Sequence, residues 1–287
     1  MLLALSAIWG ASFMFIKVAV REIDPVTTVF GRVALGALVL AAVVPLRMPV
    51  REAEAALRAD AVSLLIVGVL NSALPFWLLF WAQTHIDSGL AAIIQASAPL
   101  FTALLALAFV RSERVSGLRL AGFVLGFAGV ALLVGAAPRG SVVAGFAVVG
   151  TALCYAASGL YAARRLAHAP SLVTALGSLV AATLVTLPPG LALLPDEMPG
   201  WKAIGSVVAL GVAGSALAYL LYYAIIAGAG ASYAILVTYL VPPMALLWGA
   251  LLLDEGVGAA DLGGLALVLA GVALGTGTVR PPPQGGR

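Results

Sequence analysis

Hydrophobic positions run along this chain in unbroken blocks of about 20 residues, the length at which an α-helix crosses a hydrocarbon core of roughly 30 Å. Ten such blocks stand out, at 2–20, 26–46, 61–82, 89–110, 118–136, 142–163, 171–194, 203–226, 232–253 and 260–279. Polar and charged residues collect in the short gaps, the longest being RMPVREAEAALRAD at 47–60, which reads as a loop. A backbone group left unpaired in lipid costs several kcal/mol, and the blocks lack the ten-residue alternation of barrel strands. Each block is therefore expected to be a helix. The fold class is an all-α membrane protein with ten transmembrane helices.

Composition agrees with this pattern. Of 287 residues, 63% are hydrophobic and 9% charged, against roughly a quarter charged in a soluble domain. The first block has no basic region ahead of it and no small-residue cleavage site, so it is expected to span rather than serve as a signal peptide. No phosphate-binding Gly-Lys loop, His/Cys metal cluster or dinucleotide turn is present, so no cofactor is expected. The single cysteine, Cys154, lies inside an apolar block and has no intrachain partner.

The basic residues set an orientation. With the N-terminus in the cytoplasm, Arg47, Arg51, Arg58, Arg111, Arg114, Arg119, Arg164, Arg165, Arg280 and Arg287 fall inside, and only Arg21, Arg139 and Lys202 outside. That is the positive-inside bias. The net charge of +3 thus belongs to loops beside anionic lipid, and no nucleic-acid partner is expected. The tail 281–287 reads as disordered and cytoplasmic.

The chain also repeats itself. AGVAL occurs at 128–132 and again at 270–274, and AGFVLGFAGVALLVG at 121–135 aligns with GGLALVLAGVALGTG at 263–277. On nearly the same offset Pro99 falls on Pro242 and Ser72 on Ser215; with small shifts Trp9 meets Tyr155, Ser12 meets Ser158 and Pro25 meets Pro170. Two five-helix units are expected, 1–137 and 138–280. Because five is odd, the second enters from the opposite face, an inverted-topology repeat. Secondary transporters are often built this way, with the substrate site at the midplane between repeats.

The residues AIWGASFMFIKVAV in the first block, LNSALPFWLLFWAQTHIDSGLAAIIQASAPLFTALLA across the third and fourth, and AYLLYYAIIAGAGASYAILVTYLVPPMALLWGALLLDE in the second half carry a resemblance. They resemble EamA-type members of the drug/metabolite transporter superfamily, most of all the branch of bacterial aromatic amino acid exporters. The resemblance covers essentially the whole chain. It implies a ten-helix carrier of the bacterial inner membrane, both termini cytoplasmic, that exports amino acids, related metabolites or xenobiotics. Where that branch often reads Asn-Ala-Thr-Thr-Pro, this chain has Gln95, Ala96, Ser97, Ala98 and Pro99.

Candidate site residues follow from what a membrane tolerates poorly. A proline inside a helix frees the carbonyl four residues earlier, here Gln95 for Pro99 and Thr238 for Pro242, with Thr102 on the same face as Gln95. Asn71, beside Ser72 and Pro75, is an amide near the midplane. Trp9, Phe13 and Lys17 share one face of the first block with Ser12 alongside, and Tyr155, Ser158 and Tyr219 lie deep in the sixth and eighth. Substrate contact and ordinary packing are both open for these residues. Lys17 and Arg32 are the two charges within spans, and such charges usually face a cavity or a partner. Together they suit a carboxylate.

No Asp or Glu is expected inside a span. Asp87, Glu113, Asp254 and Glu255 fall at span ends, with ion pairing the expected role of Glu113 and Glu255. Coupling to protons would then use one of these acids or His85, and facilitated diffusion or exchange stays open. The expected function is alternating-access export of amino acids or similar amphipathic small molecules through a cavity formed by spans one, three, four, six, eight and nine. A passive channel or a broad drug/metabolite facilitator is the alternative. A membrane enzyme is disfavoured, since no nucleophile and base fall together.

Overall fold

The computed structural model describes residues 1–109, 117–136, 142–234 and 236–276. Arg111, Glu113, Arg114, Arg139, Arg280, Arg287 and the tail 281–287 lie outside the described residues. Within them the chain is helical, with no strand. The helices are α1 (Leu2–Ala19), α2 (Pro25–Val43), α3 (Val50–Ala59), α4 (Ala61–Gly68), α5 (Leu74–Gln83), α6 (Ser88–Gln95), α7 (Ala98–Phe109), α8 (Leu118–Ala136), α9 (Val142–Arg165), α10 (Ser171–Ala192), α11 (Trp201–Gly211), α12 (Ala218–Ala229), α13 (Ala231–Ala234), α14 (Val237–Leu252) and α15 (Ala259–Gly275). Among the described residues, eight helical stretches are long and apolar enough to cross a membrane, and α14 and α15 are two shorter apolar helices. This is a multi-pass membrane protein.

Two of the long stretches are single rods only because a wide turn joins their halves. Val69–Ala73 connects α4 to α5, and Val212–Leu217 connects α11 to α12, each as π-helix. The second begins 143 residues after the first, the offset that also separates Ser72 from Ser215 and Pro99 from Pro242. A π turn inserts one residue into the ladder and is frequent at functional sites.

The gap at 47–60 is a helix for most of its length. α3 holds an exposed Glu54–Arg58 pair at 3.2 Å one turn apart and buries only Ala53. Its Glu, Ala, Leu and Arg content has high helix propensity, so a stretch polar enough to read as a loop folds as a surface helix.

Small residues set the closest helix packing. The repeated AGVAL segments lie in α8 and α15, which meet face to face, so that a Cβ on Gly122 would strike the Gly275 backbone and one on Gly271 would strike that of Gly126. In lipid, where apolar side chains gain nothing by leaving solvent, helices associate through such close backbone approach. Outward faces carry large apolar residues such as Phe146 and Leu184.

The ends of the bundle are fixed by polar contacts. At one end Lys17 Nζ of α1 donates to the carbonyls of Gln83 and Ile86 at 2.8 Å each. Beside it, Glu255 after α14 accepts from Ser88 N at 3.0 Å, Gly89 N at 3.2 Å and Ser88 Oγ at 2.7 Å. At the other end His168 meets Asp60 at 3.0 Å. Glu255 thus caps the N-terminus of α6 rather than forming the ion pair expected of it. The chain can turn back to do so because Asp254 adopts φ 56, in the left-handed region, and Glu255 N donates to Gly249 O. Asp261 is an exception to the expectation of acid-free spans. It stands in the first turn of α15 and accepts from Gly258 N at 2.8 Å, where the helix N-terminus favours a carboxylate.

The two corresponding prolines are accommodated differently. Helix α6 stops at Gln95 and α7 starts at Ala98, a break just before Pro99 in which Ser97 Oγ donates to Ile94 O at 2.6 Å. Pro242 and Pro243 sit inside a continuous α14. That helix begins only at Val237, so the residues four positions before the prolines, Thr238 and Tyr239, lie in its first turn.

Candidate functional site

A cavity of about 670 Å³ lies in the middle of the bundle. Its wall takes residues from α1, α2, α5, α6, α7, α9, α12 and α14, from both π turns, and Thr276 just after α15. It reaches Ala106 and Thr276, close to where α7 and α15 finish, and stops short of the Lys17 and Glu255 contacts at the opposite end.

Of the residues singled out from sequence, Trp9, Ser12, Phe13, Arg32, Asn71, Gln95, Pro99, Thr102, Tyr155, Tyr219, Thr238 and Pro242 line this cavity. Ser158 and Lys17 do not. Ser158 is buried one turn beyond Tyr155 in α9. Lys17 is occupied at the C-terminal end of α5, where a cation meets the negative end of the helix. The structure therefore separates the two charges that the sequence placed together, and Arg32 is the one that reaches the cavity.

Arg32 is 6% exposed. Its Nε donates to Ser215 Oγ at 3.1 Å and its Nη2 to Gly214 O at 3.4 Å, both in the second π turn. The guanidinium carbon lies 4.0 Å from the centre of the Phe76 ring, just past the first π turn. A cation over an aromatic face is favourable, the more so when desolvated. Ser215 Oγ in turn donates to Leu210 O at 3.1 Å, so the hydroxyl is oriented to accept from Arg32.

The first π turn contributes Asn71, whose Nδ2 donates to Tyr219 Oη at 3.2 Å. Trp9 Nε1 donates to Gly214 O at 3.3 Å and its ring packs 5.7 Å from that of Tyr222. A Cβ on Gly214 would lie 2.8 Å from Ser12 Oγ, so a side chain there would displace the hydroxyl that donates to Ile8 O, and 3.9 Å from Arg32 Nη2, an ordinary contact distance. Gln95 Oε1 is buried without a partner. The wall thus combines one cation, neutral hydrogen-bonding groups and aromatic faces, and no acidic residue is among the described residues that line it.

Phe76, Tyr222 and Gly214 were not among the sequence candidates. Phe76 carried a faint signal, next to Pro75 in a segment already marked by Asn71. Gly214 carried none, because its role depends on contacts from α1 and α2 that are distant in the chain.

A cavity of this size inside a membrane-embedded helical bundle is what passage of a small molecule requires. Residues 1–135 and 143–276 match the EamA-like transporter family. The chain belongs to that family, and is a transporter rather than an enzyme. It is 26% identical over 270 residues to an uncharacterized transporter of Archaeoglobus fulgidus, covering 93% of this chain and 94% of the other. It is 31% identical over 208 residues to a probable terminal-alkyne amino-acid exporter of Streptantibioticus cattleyicolor, covering 69% of this chain and 67% of that one. A solved crystal structure matches the fold with a TM-score of 0.63 over 97% of each chain, at 20% identity.

Proposed function

We propose that this protein is a secondary transporter that exports amino acids or related small amphipathic metabolites by alternating access. In this reading α14 and α15 are the ninth and tenth spans, and the chain is two inverted five-helix repeats, 1–137 and 138–280. It sits in a bacterial inner membrane with both termini in the cytoplasm. The observation that carries the reading is the pair of π turns 143 residues apart, one from each half, both on the wall of one cavity. Inverted repeats that meet at a midplane site can rock about it. The Streptantibioticus relative, named as an amino-acid exporter, supports the substrate class. The cavity runs toward the end where Arg164 and Arg165 close α9, which positive-inside orientation makes cytoplasmic, the side from which an exporter loads.

Reconstitution of the purified chain into liposomes tests this. Labelled aromatic and aliphatic amino acids should show saturable counterflow, and an imposed pH gradient should reveal whether protons drive it. Flux that rises linearly with concentration and shows no counterflow would identify a passive channel instead.

A further inference from the structure

The structure assigns Arg32 as the receptor for a carboxylate on the transported molecule, an inference that rests on the transporter reading and narrows its substrate class. A guanidinium has five N–H donors. Two are engaged, by Ser215 Oγ and Gly214 O, and one face is covered by Phe76. Nη1 keeps no protein partner among the described residues, and no carboxylate pairs with Arg32 there. A charge buried in a membrane is costly unless it is paired or serves a pathway. Lys17, the cation of the first span, has its carbonyl partners, and Glu255 and Asp261 are each committed to a helix end. Arg32 alone is held rigidly, by groups of the opposite half of the chain, on the wall of an open cavity.

The charge balance selects the ligand. One cation among neutral groups compensates a monoanion, and a phosphate dianion would remain half unpaired. Planar bidentate pairing with a guanidinium is the geometry a carboxylate offers. An amino group finds no acid on the described wall. Gln95 Oε1, buried and unpartnered, offers it a neutral acceptor, a weaker contact than an ion pair. The cavity is therefore selective for amphipathic monocarboxylates, with the amino group secondary. Trp9, Tyr222 and Phe13 receive the apolar part.

Four related probes test this with the purified full chain: 3-phenylpropionate, phenylalanine, phenylalaninamide and phenethylamine. Binding is read by ligand-induced thermal shift, and competition by counterflow in liposomes. The two acids should bind within a few-fold of each other, and the amide and amine at least roughly tenfold more weakly, because a site built for a hydrogen-bonded group rejects analogues lacking it. Arg32→Gln should abolish the preference and Arg32→Lys should keep part of it. Should Arg32→Gln fail to fold, Ser215→Ala, which frees the guanidinium from its anchor, should weaken the acids without affecting the amine. Equal binding of acid and amine, a preserved preference in Arg32→Gln or, where that variant does not fold, in Ser215→Ala, or no binding of either acid would overturn the assignment. Carboxylate-dependent binding without flux would sink the proposed export of amino acids and related metabolites and leave Arg32 standing as a carboxylate site. Flux indifferent to the carboxylate would do the reverse.

Discussion

Asn71 and Tyr219 stand 148 residues apart in the chain and meet at the cavity wall, the amide Nδ2 donating to the phenol oxygen at 3.2 Å. One belongs to the first π turn and the other follows the second. The bond therefore joins the two halves at the place where each helix is widened. Tyr219→Phe should cost about 0.5–1.5 kcal/mol, the net worth of a typical hydrogen bond. Asn71→Ala should change the order of preference across a substrate panel without preventing membrane insertion. An unchanged panel for Asn71→Ala would remove Asn71 from the binding wall.

Gly214 keeps Ser12 and Arg32 close by having no side chain. A methyl group there would lie 2.8 Å from Ser12 Oγ, so one of the two must move. Gly214→Ala should destabilise the folded protein by about 1–3 kcal/mol, the usual cost of overpacking. Gly205→Ala, where an added Cβ meets nothing within 4 Å, is the control and should melt at or slightly above wild type. Melting of detergent-solubilised protein separates the two outcomes.

Glu255 holds the closed end of the bundle through Ser88 and Gly89. Removing a helix N-cap costs about 0.5–2 kcal/mol, and Glu255→Ala should lie at the upper end of that range because its carboxylate takes three bonds. Glu255→Gln should fall between alanine and wild type. Thermal melting of the three proteins at neutral pH checks the order.

Asp87 occupies the N-cap position of α6 but takes no capping bond, because Glu255 has those donors. Partial burial raises its carboxyl pKa above the ordinary value near 3.8, the Glu255 carboxylate raises it further, Lys17 opposes the shift and Asp261 adds to it. A raised carboxyl means that the folded state binds the proton more tightly than the unfolded chain. The stabilisation from Asp87 is thus greatest at low pH and is lost as pH rises from the ordinary carboxylate pKa through the raised one. Asp87→Asn should melt higher than wild type at pH 7, and the two should converge below about pH 4. A variant that melts lower than wild type at pH 7 would show that the charge is favourable where it stands.

Much of this architecture is legible in the sequence, for a physical reason. Spanning helices must be apolar along their whole length, so block length alone locates them, as with Leu2–Ala19 and Val142–Arg165. The cavity residues Asn71, Gln95 and Arg32 were legible because polar groups are conspicuous in apolar blocks. The break at Ala96 and Ser97 was signalled by Pro99, yet the same signal at Pro242 produced no break, since the position of a proline within its helix decides what it disturbs. The π turns were not legible, because the insertion of one residue leaves no mark on hydropathy. Nor were the partners of Lys17 and Glu255, both set by helix ends that meet only in three dimensions. Charge drew attention to each residue correctly but did not say that a carbonyl or an N–H would satisfy it.

On the proposed function, cargo passes through the cavity between the two halves. Ala103 lines it, and an indole at that position would project a bulky ring into the path. The decisive measurement is counterflow of a labelled carboxylate substrate in liposomes containing wild type or Ala103→Trp, each shown to be folded and inserted. Wild type should show saturable counterflow, and the variant should lose it. Equal counterflow in both would place the route elsewhere in the molecule.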